Sequence, residues 1–245
     1  MKQALTWAAG GTLFLFAMTT LGAATVFLFV QEPRERLRRW LLGFAAGIMT
    51  AASVWSLLLP AMDRAAAQGL PPWLPAVAGT GAGALFLWGL DALLPRLRPA
   101  PGRSSRETTA ITLHNIPEGM AVGLSFALAA GGEGFAAAAA LALGIGAQNF
   151  PEGAAVALPL RQEGMGRSRA FALAALSGAV EPVFGVAAAL MAAAAGAVMP
   201  WLLAFAAGAM LYVTAEELLP QAQGGGAPAY LTGFLLMMLM DTALG

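Results

Sequence analysis

Two segments of the chain place an acid, amides and a proline together inside apolar surroundings: His114-Asn115-Ile116-Pro117-Glu118-Gly119 and Gln148-Asn149-Phe150-Pro151-Glu152-Gly153. On a helix, His114 and Glu118 share a face at a spacing of four, and Asn115, three before Glu118, lies on the adjoining edge. Gln148, Asn149 and Glu152 repeat that arrangement, so one glutamate on each helix can serve two neighbouring ligand sets. Pro117 and Pro151 lack the N–H that would bond the carbonyls of Leu113 and Ala147, which become further oxygen donors. Gly119 and Gly153 allow close helix approach. Imidazole, carboxylate and amide donors without any cysteine suit a borderline first-row divalent ion such as zinc, iron or manganese better than copper(I).

The elements that must position these residues are membrane-spanning helices. The chain is 59% hydrophobic and only 11% charged over 245 residues, which places it among integral membrane proteins. Runs of roughly 20 apolar residues, enough to cross ~30 Å of hydrocarbon at ~1.5 Å per residue, recur at 5–30, 40–62, 73–94, 108–130, 134–160, 170–194, 201–220 and 230–244. The first follows a single lysine, but its uncharged length exceeds a signal-peptide core and no small-residue cleavage site ends it, so it is read as a spanning helix.

Orientation follows from the basic residues. Arg34, Arg36, Arg38 and Arg39 follow helix 1, Arg96, Arg98, Arg103 and Arg106 follow helix 3, and Arg161, Arg167 and Arg169 follow helix 5. These loops share one side of the membrane, and only Lys2 and Arg64 fall on the other. By the positive-inside rule the three loops are cytoplasmic and both termini extracytoplasmic.

The acids are distributed differently. Glu118, Glu152, Glu181 and Glu216 are intrahelical, with Glu217, Asp91 and Asp241 nearer helix ends. No lysine or arginine lies at membrane depth to neutralise them, so they are protonated, face water or hold a cation. Glu118 lies twelve residues from Arg106 and Glu181 twelve from Arg169, roughly 18 Å along a helix. Glu152 lies nine from Arg161, roughly 14 Å, so all three stand near the midplane. Neutral acids hydrogen-bonded between helices are the competing explanation for any one glutamate, and it weakens for a cluster.

A second repeat links helices 2 and 7, where Phe44-Ala45-Ala46-Gly47-Ile48-Met49 echoes Phe205-Ala206-Ala207-Gly208-Ala209-Met210, and Leu58-Leu59-Pro60 echoes Leu218-Leu219-Pro220. These helices run in opposite directions, as do helices 4 and 5. Both pairs fit an inverted repeat in which helices 1 to 3 answer helices 6 to 8 around a central pair, the pattern of alternating-access transporters, and a chance match between alanine-rich segments is the alternative. Aligned on the terminal prolines, Glu216 and Glu217 replace Ser56 and Leu57 and lie near the inner mouth, where they could receive a released cation. A solvated helix end is the alternative.

With Ser177-Gly178-Ala179-Val180-Glu181-Pro182 on helix 6 and Tyr212 to Pro220 on helix 7, these motifs resemble the ZIP (Zrt/Irt-like protein) family of divalent metal transporters, of the bacterial type, over essentially the whole chain. The resemblance implies an all-α membrane protein of eight transmembrane helices in a 3+2+3 inverted-repeat arrangement, one transporter domain over 1–245, often a homodimer. It also implies a two-metal centre between helices 4, 5 and 6. His114, Glu118, Gln148 and Glu152 would form one metal position, Asn115, Asn149 and Glu181 a second, with Glu118 and Glu152 bridging. The cargo implied is zinc, and also iron, manganese or cadmium, moved into the cytoplasm as substrate and not held as a cofactor. Many members carry a histidine-rich loop between helices 3 and 4. Here residues 95–106 contain no histidine, so metal sensing by that loop does not carry over. Others place histidine or aspartate where Gln148 and Asn149 stand, so metal preference does not carry over either.

Other classes fare less well. An intramembrane metal-dependent hydrolase would need more than one histidine and lacks an HExxH pattern. A cation channel would be separated from a carrier by current that does not saturate. Nucleic-acid binding has no support, because the arginines are split among three loops, where they can contact anionic membrane lipids. The preference for arginine and alanine points to a bacterial source and its cytoplasmic (inner) membrane.

Overall fold

The computed structural model describes residues 2–29, 35–97, 103–132 and 134–244, and within them the side chains of all but 94–97, 103–111 and 244. Arg34 and Arg98, used above for orientation, lie outside the described residues, as do the side chains of Arg96, Arg103 and Arg106.

The described chain forms eight helical rods: α1 (Lys2–Phe27), α2 (Glu35–Ala67), α3 (Trp73–Leu97), α4 (Arg103–Ala129), α5 (Phe135–Gln162), α6 (Arg167–Ala194), α7 (Gly196–Ala222) and α8 (Ala227–Leu244). Several extend a few residues past the apolar runs. At the start of α2 the extension is held by local charge pairs, with Arg38 Nε 3.2 Å and Arg39 Nε 2.9 Å from the Glu35 carboxylate. Hydropathy locates only the part of a helix that must avoid water, so such polar turns escape it.

Among the described residues, five rods are long and apolar enough to cross a membrane on composition alone, namely α1, α2, α3, α6 and α7, and α8 is a shorter apolar helix. Of the remaining three, α4 and α5 carry the polar segments described above, whose histidine, amides and glutamates lower their apolar character.

Prolines shape the rods in different ways. Pro117 and Pro151 lie inside α4 and α5 without interrupting either helix. In α2 and α7 the backbone widens into π-helical turns at Ser53–Leu58 and Thr214–Leu218. The cause is local: Pro60 and Pro220 lack the N–H that would bond the residue four earlier. The preceding amides reach one residue further back instead, with Leu59 N–H donating to Val54 O and Leu219 N–H to Thr214 O. In α6 the helix breaks at Ala179 between Arg167–Gly178 and Val180–Ala194. Pro182 cannot donate to Gly178 O, and Glu181 thereby enters the first turn of a new helical segment.

The closest pairings are α1 with α5, α4 with the second half of α6, α2 with α8 and α3 with α7. They interchange when α1–α3 are swapped with α6–α8 and α4 with α5. Gln68 Nε2 donates to Gly196 O at 3.1 Å at one end, and Arg38 Nη1 donates to Gln221 Oε1 at 3.4 Å at the other. The rods α2 and α7 therefore run antiparallel with matched ends.

Small residues let these pairs approach closely. Gly119 lies directly against the Glu181 backbone and Gly153 against the Thr19 carbonyl. The main core runs from α1 and α2 through α4 and α5 to α7, with Leu15, Ile48, Met49, Leu124, Leu141, Ile145, Leu203 and Met210 fully buried. It surrounds the polar residues of α4 and α5 and excludes water from most of them.

Candidate metal centre

His114, Asn115 and Glu118 project from α4, Gln148, Asn149 and Glu152 from α5, and Glu181 from the restart of α6. All except Glu152, which is half-buried, are buried, and Glu118, Gln148, Asn149 and Glu181 are each 0% exposed. Polar groups this deep must find partners or carry a penalty of about 1–3 kcal/mol each.

The partners found follow one rule. Gln148 Nε2 donates to Glu118 Oε1 at 2.7 Å, Asn149 Nδ2 to Glu181 Oε1 at 3.0 Å, and Asn115 Nδ2 to the Ser177 carbonyl at 3.0 Å. An amide flipped the other way would set its oxygen against an acceptor, so each amide must present its nitrogen to its partner. The consequence falls on the opposite atoms. Asn115 Oδ1, Gln148 Oε1 and Asn149 Oδ1 have no partner, and neither do Glu118 Oε2 and Glu181 Oε2. Five acceptor oxygens, none carrying a proton to donate while the acids are ionised, are thus left over in one buried region.

Charge neighbours connect these groups. Glu118 stands near Glu152 and Glu181, and Glu152 near His114 and Glu217. Glu152 therefore neighbours both Glu118 and the His114–Glu217 contact. Among the described residues, no three His, Asp or Glu side chains converge on a single point. A cation held here in this conformation would need amide oxygens as well as carboxylates.

The acidic pair of α7 is divided. Both residues sit in the π-helical turn, but Glu216 is exposed while Glu217 turns inward, its Oε1 2.9 Å from His114 Nε2 at an ion-pair distance without hydrogen-bond alignment. The acids near helix ends gain partners that the sequence did not indicate. Asp91 of α3 neighbours Tyr212 of α7 and has His114, Glu217 and Glu216 as charge neighbours. Near the C-terminal end of α8, Ser56 Oγ of α2 donates to Asp241 Oδ1 at 2.6 Å. An available signal was spacing: Asp91 follows Gly83 by eight residues, as Asp241 follows Gly233, and those glycines contact Phe205 of α7 and Phe44 of α2, respectively. Thr19 of α1 also enters the site, donating to Glu181 Oε1 at 3.0 Å.

Comparisons with known proteins identify the relatives of the chain. A family model described as "ZIP Zinc transporter" matches residues 107–241, the stretch that carries every residue of α4 to α7 named here as facing the site. The chain is 34% identical to the human "Zinc transporter ZIP11", with 96% of each chain covered. It is 39% identical to "Zinc transporter GufA" of Myxococcus xanthus, covering 93% of this chain and 94% of that one. With "Zinc transporter ZIPB" of Bordetella bronchiseptica it shares 38% identity, over 94% of this chain and 79% of the relative.

Proposed function

Because this chain belongs to the ZIP zinc transporter family of integral membrane proteins, we propose that it carries zinc, and related divalent ions such as iron, manganese or cadmium, into the cytoplasm through a two-metal site at the membrane midplane. The members of that family are transporters and not enzymes. The metal is the cargo. His114, Glu118, Gln148 and Glu152 form one position and Asn115, Asn149 and Glu181 the other, with Glu118 and Glu152 bridging.

The observation that carries this reading is the set of five partnerless buried oxygens on Asn115, Glu118, Gln148, Asn149 and Glu181. A divalent ion entering from outside exchanges its water shell for these oxygens and the His114 imidazole, which removes their desolvation penalty. Glu217, already against His114, then offers the next ligand toward the inner mouth, with Asp91 beside it.

The reading extends to the architecture. The interchange of helix pairings and the matched π-helical turns of α2 and α7 support an inverted repeat of three helices on each side of a central pair, in one domain over 1–245. The basic ends of α2, α5 and α6 support a cytoplasmic side there and extracytoplasmic termini, in a bacterial inner membrane. Exposed Leu13, Leu85, Trp88, Leu235 and Leu239 suit contact with lipid, and the family resemblance extends the reading to a homodimer.

The test is metal uptake by proteoliposomes holding the purified protein. Saturable zinc uptake, competed by the other divalent ions and abolished in a folded Glu152→Ala variant, is the expected result. Wild-type uptake by that variant would remove the proposed site, and unsaturated current would turn the reading to a channel.

A further inference from the structure

Thr19 of α1 belongs to none of the proposed ligand sets, yet it is 1% exposed and its hydroxyl reaches the centre of the site. Thr19 Oγ1 and Asn149 Nδ2 both donate to Glu181 Oε1, each at 3.0 Å, while Glu181 Oε2 has no partner. Two donors from two helices thus converge on one oxygen and leave the other free.

The hydroxyl has a single proton, and its alternative acceptor is the carbonyl four residues back in its own helix. That acceptor, Leu15 O, is 3.3 Å away, longer than the contact to Glu181. Thr12, seven residues earlier on α1 and fully buried, makes the opposite choice. Its Oγ1 bonds Ala8 O at 2.7 Å. Both threonines are buried, so burial alone does not account for the contact of Thr19 with Glu181.

Room for the contact is built into both neighbouring helices. A Cβ on Gly153 of α5 would collide with the Thr19 carbonyl, and one on Gly178 of α6 would stand 2.9 Å from Thr19 Cβ and Cγ2. Thr19 is seated between two glycines, with its hydroxyl held toward Glu181.

We propose that Thr19 is a positioning residue for metal binding: with Asn149 it anchors Oε1 of Glu181 so that Oε2 is the oxygen presented to the ion. The proposal rests on the reading of Glu181 as a metal ligand. Thr19→Val keeps the side-chain shape and removes the donor, and Thr19→Ser keeps the donor and removes the methyl group.

The experiment is a double-mutant cycle with Glu181→Gln, read as equilibrium zinc affinity of the purified full-length protein. In the otherwise native background Thr19→Val is expected to weaken zinc binding about tenfold, the scale of one hydrogen bond to a charged group. Thr19→Ser and Thr12→Val are expected to stay within about twofold of the native protein. In the Glu181→Gln background Thr19→Val is expected to add nothing. Thr19→Ala takes its place if the valine variant is not recovered folded.

Equal weakening in both backgrounds, no weakening in either, or failure of serine to preserve affinity would overturn the positioning role. Native affinity in Glu181→Gln alone would instead overturn the ligand reading of Glu181, and the role of Thr19 with it. The first results leave that ligand reading standing, so the two failures are distinguishable.

Discussion

His114 Nε2 stands 2.9 Å from Glu217 Oε1, which joins the buried polar face of α4 to the π-helical turn of α7. Through His114 the proposed midplane ligands connect to a second group, formed by Asp91, Tyr212 and Glu217. The two glutamates of α7 are therefore unequal. Loss of the inward-facing carboxylate beside His114 predicts that Glu217→Gln slows zinc transport several-fold. Exposed Glu216→Gln should change it by less than about twofold. Initial rates of zinc uptake by proteoliposomes check both, and equal effects would refute the division of the pair.

The dependence on pH has a defined sign. Carboxylates must be unprotonated to hold a metal ion, so protons and zinc compete for Glu118, Glu152 and Glu181. Acidification from about pH 8 to about pH 5 is expected to raise the zinc concentration for half-maximal uptake, by up to about tenfold per unit for each proton displaced. Zinc titrations of uptake at several pH values check this. A half-saturation point that holds steady or falls with acid would contradict carboxylate ligation.

Packing predicts opposite outcomes for two glycines. A Cβ at Gly153 would press on the Thr19 carbonyl, whereas one at Gly81 of α3 meets nothing within 4 Å. Gly153→Ala is expected to destabilise the protein by about 1–3 kcal/mol through overpacking. Gly81→Ala should leave stability unchanged or raise it by about 0.5–1 kcal/mol, because alanine favours the helix. Thermal unfolding in one detergent measures the two variants side by side.

The eight rods and the donors of α4 and α5 are legible in the sequence because burial in lipid imposes a long apolar period, and every exception to it stands out. Glu118 and Glu152 are such exceptions. The π-helical turns are less legible, since Pro60 and Pro220 announce a lost hydrogen bond but not how the backbone recovers it. The break at Ala179 is similar, since Pro182 announces a lost bond to Gly178 O but not that the helix restarts at Val180. Thr19 is silent at the sequence level because a threonine in an apolar run ordinarily bonds its own helix, as Thr12 does. Asp91 reads as a helix-end acid until α7 brings Tyr212 to it. For Thr19 and Asp91 what the sequence conceals is a contact between helices.

The central claim is that the unpaired oxygens of α4, α5 and α6 are metal ligands, and anomalous X-ray diffraction at the zinc edge on crystals of the zinc-loaded protein tests it most directly. The account predicts zinc peaks between these helices, within bonding distance of Glu118 and Glu152, one also near His114 and Gln148 and the other near Asn115, Asn149 and Glu181. Zinc peaks confined to the protein surface, with those oxygens still unoccupied at saturating zinc, would contradict it.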